Sequence, residues 1–115
     1  MNALETRTLL EFLVNSFYEK VKVDELLAPV FAHVDWPAHL PVMYNFWSSM
    51  LLGDQSYQGN PFQKHVGLSI KVEHFQQWLL LFHATIDENF IGDSALDAKN
   101  RATTIAGVWS YKLGL

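Results

Sequence analysis

The stretch from residue 72 to residue 90 decides the fold and reads VEHFQQWLLLFHATIDENF. Its apolar side chains recur at alternating steps of three and four, at Val72, Phe75, Leu79, Phe82, Ile86 and Phe90. This spacing is typical of an amphipathic α-helix with one buried face. Gly92 breaks the pattern just beyond it. We therefore predict a long helix over this stretch.

Helical spacing also marks the first part of the chain. One face of a first predicted helix carries Leu10, Val14, Phe17 and Val21. Asp24 is placed to cap a short second helix that carries Leu27, Val30 and Phe31. Pro29 limits the length of that helix, because proline has no backbone N–H to donate.

Two further helices are predicted on either side of the deciding stretch. The third runs from near Asp35 to Gly53, and its Pro37 and Pro41 are expected to be tolerated only within or before its first turn. The last helix is predicted to begin at Ser94, which forms a weak capping box with Asp97 three residues further on. Its buried face is predicted to hold Ala98, Ala102, Ile105 and Trp109.

A polar loop and a very short helical stretch separate the third helix from the long one. Gly53 to Pro61 has the glycine and proline content of a loop, and Phe62 to Val66 can form one short helix. No segment alternates with the two-residue period of a β-strand. We predict an all-α protein with residues 1–115 as a single domain.

Composition excludes several classes of function. A net charge of −4 with scattered basic residues provides no surface for nucleic acid. The absence of Cys removes disulfides, thiolate metal sites and a thiol nucleophile. Neither a signal peptide nor an apolar run long enough for a membrane span is recognisable, so we expect a soluble cytoplasmic protein. An aromatic content of 14% suggests a cavity for an apolar guest.

Five histidines are the candidates for chemistry. None forms the HExxH pattern of a zinc site, and no nucleophile elbow is present. We expect His33, His74 and His83 to be surface or satisfied core residues. His39 lies on an apolar stripe with Met43 and Phe46, where an unpaired imidazole is costly to bury. His65, beside an aromatic-rich interior, suits a haem ligand.

Several motifs along the chain resemble the truncated haemoglobins, and the third group of that family most closely. They are Phe17 to Val21, Leu27 to Phe31, Trp36 with His39, Asn45 to Gly53, Tyr57 to Pro61, Lys64-His65, Phe75 to Trp78, and Phe82. The separation of His39 and His65 also resembles that of the family's distal and proximal histidines. The resemblance implies a two-over-two helical sandwich around haem b.

The resemblance also implies roles for individual residues. His65 would be the proximal ligand of the iron, and His39, Tyr18 and Trp78 would form a polar distal pocket as the catalytic set. His39 could gate that pocket, contact the gas ligand or a propionate, or bind the iron. The remaining haem contacts are expected to be Phe31, Met43, Phe46, Trp47, Phe62, Phe75 and Lys64.

The implied function is binding of dioxygen, nitric oxide or carbon monoxide at a pentacoordinate iron. Hydrogen-bond donors at Tyr18 and Trp78 favour slow release, which suits dioxygen-dependent nitric oxide detoxification or peroxidase-like chemistry. Either activity needs a separate reductase, because the chain has no G-x-G-x-x-G motif. A dioxygen or nitric oxide sensor is the alternative, and a cofactor-free helical interaction module is a third.

Overall fold

Helices account for the regular structure of the chain in its computed structural model, which describes residues 2–54 and 70–115. Within these ranges there are four α-helices and no strands: α1 (Arg7–Val23), α2 (Trp36–Leu52), α3 (Val72–Asn89) and α4 (Asp93–Lys112). The all-α prediction is confirmed. The predicted short helix at 62–66 and most of the predicted loop before it lie outside the described residues.

The four helices form two layers. Helix α1 packs beside α2 and α3 beside α4, while α1 also packs on α3 and α2 touches α4. This is the predicted two-over-two arrangement. The side chains of the first predicted stripe, Leu10, Val14, Phe17 and Val21, are all buried between the layers. On α3, Phe82 and Ile86 are fully buried, whereas Val72, in the first turn, is 46% exposed.

Helix α4 presents small side chains to its neighbours. Ala95, Ala98, Ala102 and Ala106 are all buried along one face. Alanine allows close approach of two helix backbones, which accounts for the packing of α4 along α3. Ile105 and Trp109 follow on the same side but are only half-buried, and both line a cavity described below.

Two local predictions were wrong near the start of α2. Residues 25–33 form a series of turns and not a helix, although the Asp24 carboxylate does accept from the backbone N–H of Leu27 at 2.9 Å. Pro29 cannot donate the next helical hydrogen bond. Pro41 lies inside α2, beyond the first turn. It is tolerated there because the Pro37 carbonyl, which loses its partner, is on an exposed residue.

The predicted cap of the last helix was also wrong. Gly92 holds the N-cap position of α4, with φ 93°. The Ser94 hydroxyl instead accepts a hydrogen bond from the Leu4 backbone N–H at 2.9 Å. The Ile91 N–H donates to the Asn2 carbonyl at 3.1 Å, and Leu4 itself is buried. These contacts make residues 2–4 an N-terminal strap across the α3–α4 corner.

Candidate functional site

A largely apolar cavity lies between the two helical layers. Its volume is about 780 Å³ when its open mouth is counted. Every helix and the turns after α1 contribute to its wall, through Tyr18, Leu27, Val30, Phe31, His39, Met43, Phe46, Trp47, Ile70, His74, Phe75, Trp78, Ile105, Ala106 and Trp109. Among the described residues of this wall, the side chains that carry N–H or O–H groups belong to tyrosine, histidine and tryptophan, and each has one or two polar atoms on an otherwise apolar ring.

Tyr18 is fixed by the aromatic rings around it. It is 5% exposed, and its ring centroid lies 4.9 Å from that of Phe17, 5.1 Å from Trp36 and 6.1 Å from Phe31. Burial raises the pKa of the Tyr18 hydroxyl above its ordinary value, because the charged phenolate would be desolvated. The hydroxyl therefore keeps its proton and can act as a hydrogen-bond donor.

His39 lies in α2, beside Tyr18. Its imidazole meets the ring of Tyr18 edge-on at 5.5 Å and that of Trp36 at 5.6 Å. The backbone N–H of His39 donates to the Asp35 carbonyl at 2.8 Å, so the residue belongs to the first turn of the helix. The ring contacts show that its side chain points towards Tyr18 and Trp36. The Nε2 atom is buried.

Trp78 belongs to a stack of flat rings on the other side of Phe17. Its ring is nearly parallel to that of Phe82, at 5.3 Å and 8°, and Phe82 in turn stacks on Trp47 at 4.8 Å. Phe17 meets Trp78 edge-on at 5.7 Å. Because Phe17 also touches Tyr18, one buried ring holds both of these cavity-lining side chains.

The described part of the predicted haem-contact set lines this cavity. It comprises Phe31, Met43, Phe46, Trp47 and Phe75, together with the distal set Tyr18, His39 and Trp78. The predicted iron ligand His65 lies outside the described residues, as do Phe62 and Lys64. Their positions relative to the cavity therefore stay predictions.

Part of the cavity wall was not predicted from the sequence pattern. His74 lines the cavity although it was assigned no role, while His83 is satisfied as predicted, with Nε2 at 3.1 Å from the Lys99 carbonyl. His74 stands four residues before Trp78, on the same helical face, and that spacing was the available signal. Four further wall residues were predicted only as parts of helix faces and were given no role in a site: Leu27, Val30, Ile105 and Trp109.

The cavity fits a haem. Its aromatic and aliphatic walls suit an apolar macrocycle, and tyrosine, histidine and tryptophan supply polar atoms beside it. No group of three or more His, Cys, Asp or Glu side chains that could hold a metal occurs among the described residues. A porphyrin supplies its own four nitrogen ligands, so a haem requires no such cluster and only an axial imidazole.

An apolar cavity between packed helices is a common location for a cofactor or small ligand. The sequence profile of the bacterial-like globin family matches residues 3–108, and the chain belongs to that family. Membership of this family supports the conclusion that the chain is a haem-binding globin. Globins are a class of protein that binds diatomic gases. In the described ranges, no helix has the length and apolar character needed to cross a membrane.

Within the family the chain is most informatively compared with truncated haemoglobins. The crystal structure of a group III truncated haemoglobin from Campylobacter jejuni superposes with a TM-score of 0.88 at 31% identity, covering 98% of this chain and 95% of that one. A truncated haemoglobin from Tetrahymena pyriformis has a TM-score of 0.71 at 24% identity, with 84% of each chain covered, and supports the fold alone.

Sequence comparison agrees with the structural one. A group 3 truncated haemoglobin from Campylobacter jejuni is 38% identical over 82 residues, which are 65% of either protein. A group 1 truncated haemoglobin from Nostoc commune is 33% identical over 67 residues, 57% of either. These alignments span less than two thirds of the relatives' length. The predicted resemblance to the third group of truncated haemoglobins is confirmed.

Proposed function

We propose that this globin holds haem b in the cavity and binds dioxygen there for redox chemistry, with dioxygen-dependent removal of nitric oxide as the first candidate. The observation that carries the proposal is the convergence of Tyr18, His39 and Trp78 on one largely apolar cavity. In an apolar cavity, the O–H and N–H groups of these side chains can form hydrogen bonds with a small polar ligand with little competition from water.

His65 is the residue that would hold the haem iron through its imidazole. A haem held in this way would supply an iron that can bind dioxygen, nitric oxide or carbon monoxide. The proposed contacts of the ring are Phe31, Met43, Phe46, Trp47 and Phe75 from the described wall, with Phe62 and Lys64 from the stretch before α3. Close packing of these side chains would exclude water from the ligand side.

Tyr18 and Trp78 are the proposed donors to the gas ligand. The Tyr18 hydroxyl stays protonated because burial raises its pKa, and the indole N–H of Trp78 can only donate. A hydrogen bond in a water-excluded cavity is strengthened by the low local dielectric. Both donors therefore favour retention of a ligand that carries partial negative charge, and the same donors can polarise a peroxide.

His39 is proposed to face the gas ligand and not a propionate. Its Nε2 atom is buried, and its ring is bracketed by Tyr18 and Trp36. A propionate needs a partner near solvent, because a carboxylate without hydration or full pairing is costly to bury. The contact between the rings of His39 and Tyr18, the proposed donor, supports this assignment.

The first test is the absorption spectrum of purified protein titrated with hemin. We expect a Soret band at one haem per chain that is lost or displaced in His65→Ala, with His33→Ala as the matched control. A protein that takes up no hemin would refute the proposal.

The second test separates an enzyme from a sensor. The oxygenated protein is mixed with nitric oxide, with a chemical reductant in place of the separate reductase that we propose supplies the electrons. Repeated consumption of nitric oxide with nitrate formation supports the enzyme. A single stoichiometric reaction without recovery favours the sensor or dioxygen-binding alternative. The cytoplasmic location also stays a prediction, testable by cell fractionation.

A further inference from the structure

His74 lines the cavity from the first turn of α3, next to residues that are exposed to solvent. It is half-buried, whereas the next residue, Phe75, is buried and Lys71 before it is exposed. His74 also stands one helical turn before Trp78, so both rings line the cavity from the same face of α3. His74 is thus a polar group that lines the cavity and is also partly open to solvent.

A backbone hydrogen bond determines how the His74 ring can act. The Lys71 N–H donates to His74 Nδ1 at 2.8 Å, and the His74 N–H donates back to the Lys71 carbonyl at 3.0 Å. Because Nδ1 accepts this hydrogen bond through its lone pair, the proton of the neutral ring is on Nε2. His74 therefore presents a donor at Nε2.

This arrangement is the reverse of that of an iron ligand. A metal-bound histidine binds through the lone pair of one ring nitrogen and donates the N–H of the other to an acceptor. In His74 the second nitrogen is itself an acceptor, facing the Lys71 N–H. Binding a metal at Nε2 would leave the ring without a neutral tautomer that keeps this bond. The geometry favours a donor over a ligand.

We infer that His74 Nε2–H donates a hydrogen bond to a carboxylate of the bound haem at the cavity mouth. The inference rests on the proposed function, since it presupposes that haem occupies this cavity. A haem has an apolar ring and two carboxylates on one edge, so the aromatic interior takes the ring and the carboxylates face the solvent edge. The exposed Lys71 adds a positive charge next to His74.

The test compares the rate at which haem leaves the protein. Hemin-loaded wild type and His74→Leu are mixed with excess apomyoglobin, and transfer is followed by absorbance. We expect about tenfold faster loss from His74→Leu, the effect of one hydrogen bond to a charged group. His74→Gln, which restores a donor, should recover most of the difference. His83→Leu, on the same helix away from the cavity, is the control.

Hemin dimethyl ester separates the carboxylate contact from simple packing. With both carboxylates esterified, the difference in loss rate between wild type and His74→Leu should be much smaller, because a neutral ester carbonyl accepts a weaker hydrogen bond than a carboxylate does. Equal acceleration with hemin and its ester, or unchanged loss of hemin, would overturn the inference while leaving the proposed function standing. A ferrous spectrum that changes its coordination state in His74→Gln would also overturn it, because that result identifies a ligand. Failure of wild type to bind hemin would instead refute the proposed function.

Discussion

Replacing Tyr18 with Phe removes one hydroxyl and leaves the aromatic cluster in place. The ring of Tyr18 packs against those of Phe17, Trp36 and His39 at 4.9–5.5 Å, and a phenylalanine ring fills the same space. The free energy of unfolding of the apoprotein should therefore change by less than about 1 kcal/mol. Any large functional effect then belongs to the hydroxyl.

The expected functional effect is faster release of dioxygen. A hydrogen bond to a group with negative charge contributes about 1.5–3 kcal/mol. Since about 1.4 kcal/mol corresponds to a factor of ten, the dissociation rate should rise by roughly 10- to 100-fold. The association rate should change little, because the substitution leaves the apolar wall of the cavity intact.

Stopped-flow displacement of dioxygen by carbon monoxide measures that rate directly. Tyr111→Phe removes a hydroxyl from a residue that is 84% exposed and should leave the rate unchanged. Trp78→Phe should also accelerate release, by removing the second donor. A Tyr18→Phe protein with a normal haem spectrum and a dissociation rate within twofold of wild type would refute the assignment of Tyr18 as a donor.

Three further results are expected from the packing and ionisation of the described residues. Phe82→Ala should lower the free energy of unfolding by about 3–5 kcal/mol in urea titrations, because the ring is fully buried between Trp47 and Trp78; a loss below about 1 kcal/mol would contradict this. Above about pH 10 the unfolded chain ionises Tyr18 while the fold keeps it neutral, so stability present below that pH should fall by up to about 1.4 kcal/mol per pH unit; this component should be missing from Tyr18→Phe, and equal slopes would refute it. Ser94→Ala should cost about 1 kcal/mol through the lost bond from Leu4, measured by thermal unfolding, and no loss would show that water replaces the hydroxyl.

The helices were predictable because their apolar periodicity is local. Phe82 and Ile86 in α3, like Phe17 and Val21 in α1, recur at the spacing of one helical face, and burial follows from that spacing. The class of site followed from the resemblance and not from periodicity. From the residues alone, His65 was one histidine among five, and its position lies outside the described residues.

The missed features depend on partners far away in sequence or on exposure. Ser94 has the residue type of a helix cap, but Leu4 supplies a competing donor that no local pattern reveals. The prediction for Pro41 used the general free-energy cost of proline inside a helix. The cost at this position is lower because Pro37, whose carbonyl loses its hydrogen-bond partner, is exposed to solvent. The four-residue spacing of His74 from Trp78 was the local signal of its position, but the cavity that both side chains line is formed only when the two helical layers pack together.

The N-terminal strap has a consequence for how the protein opens. Releasing it breaks the Leu4–Ser94 and Ile91–Asn2 hydrogen bonds and exposes the Leu4 side chain, at a combined cost of roughly 3–5 kcal/mol. Global unfolding of a domain commonly costs about 5–15 kcal/mol, so the strap should detach while α1 to α4 stay folded. The amide hydrogens of Leu4 and Ile91 should then exchange with solvent faster than those of the buried turns of α1. Their exchange rates would report a partially open form of the globin in equilibrium with the closed one.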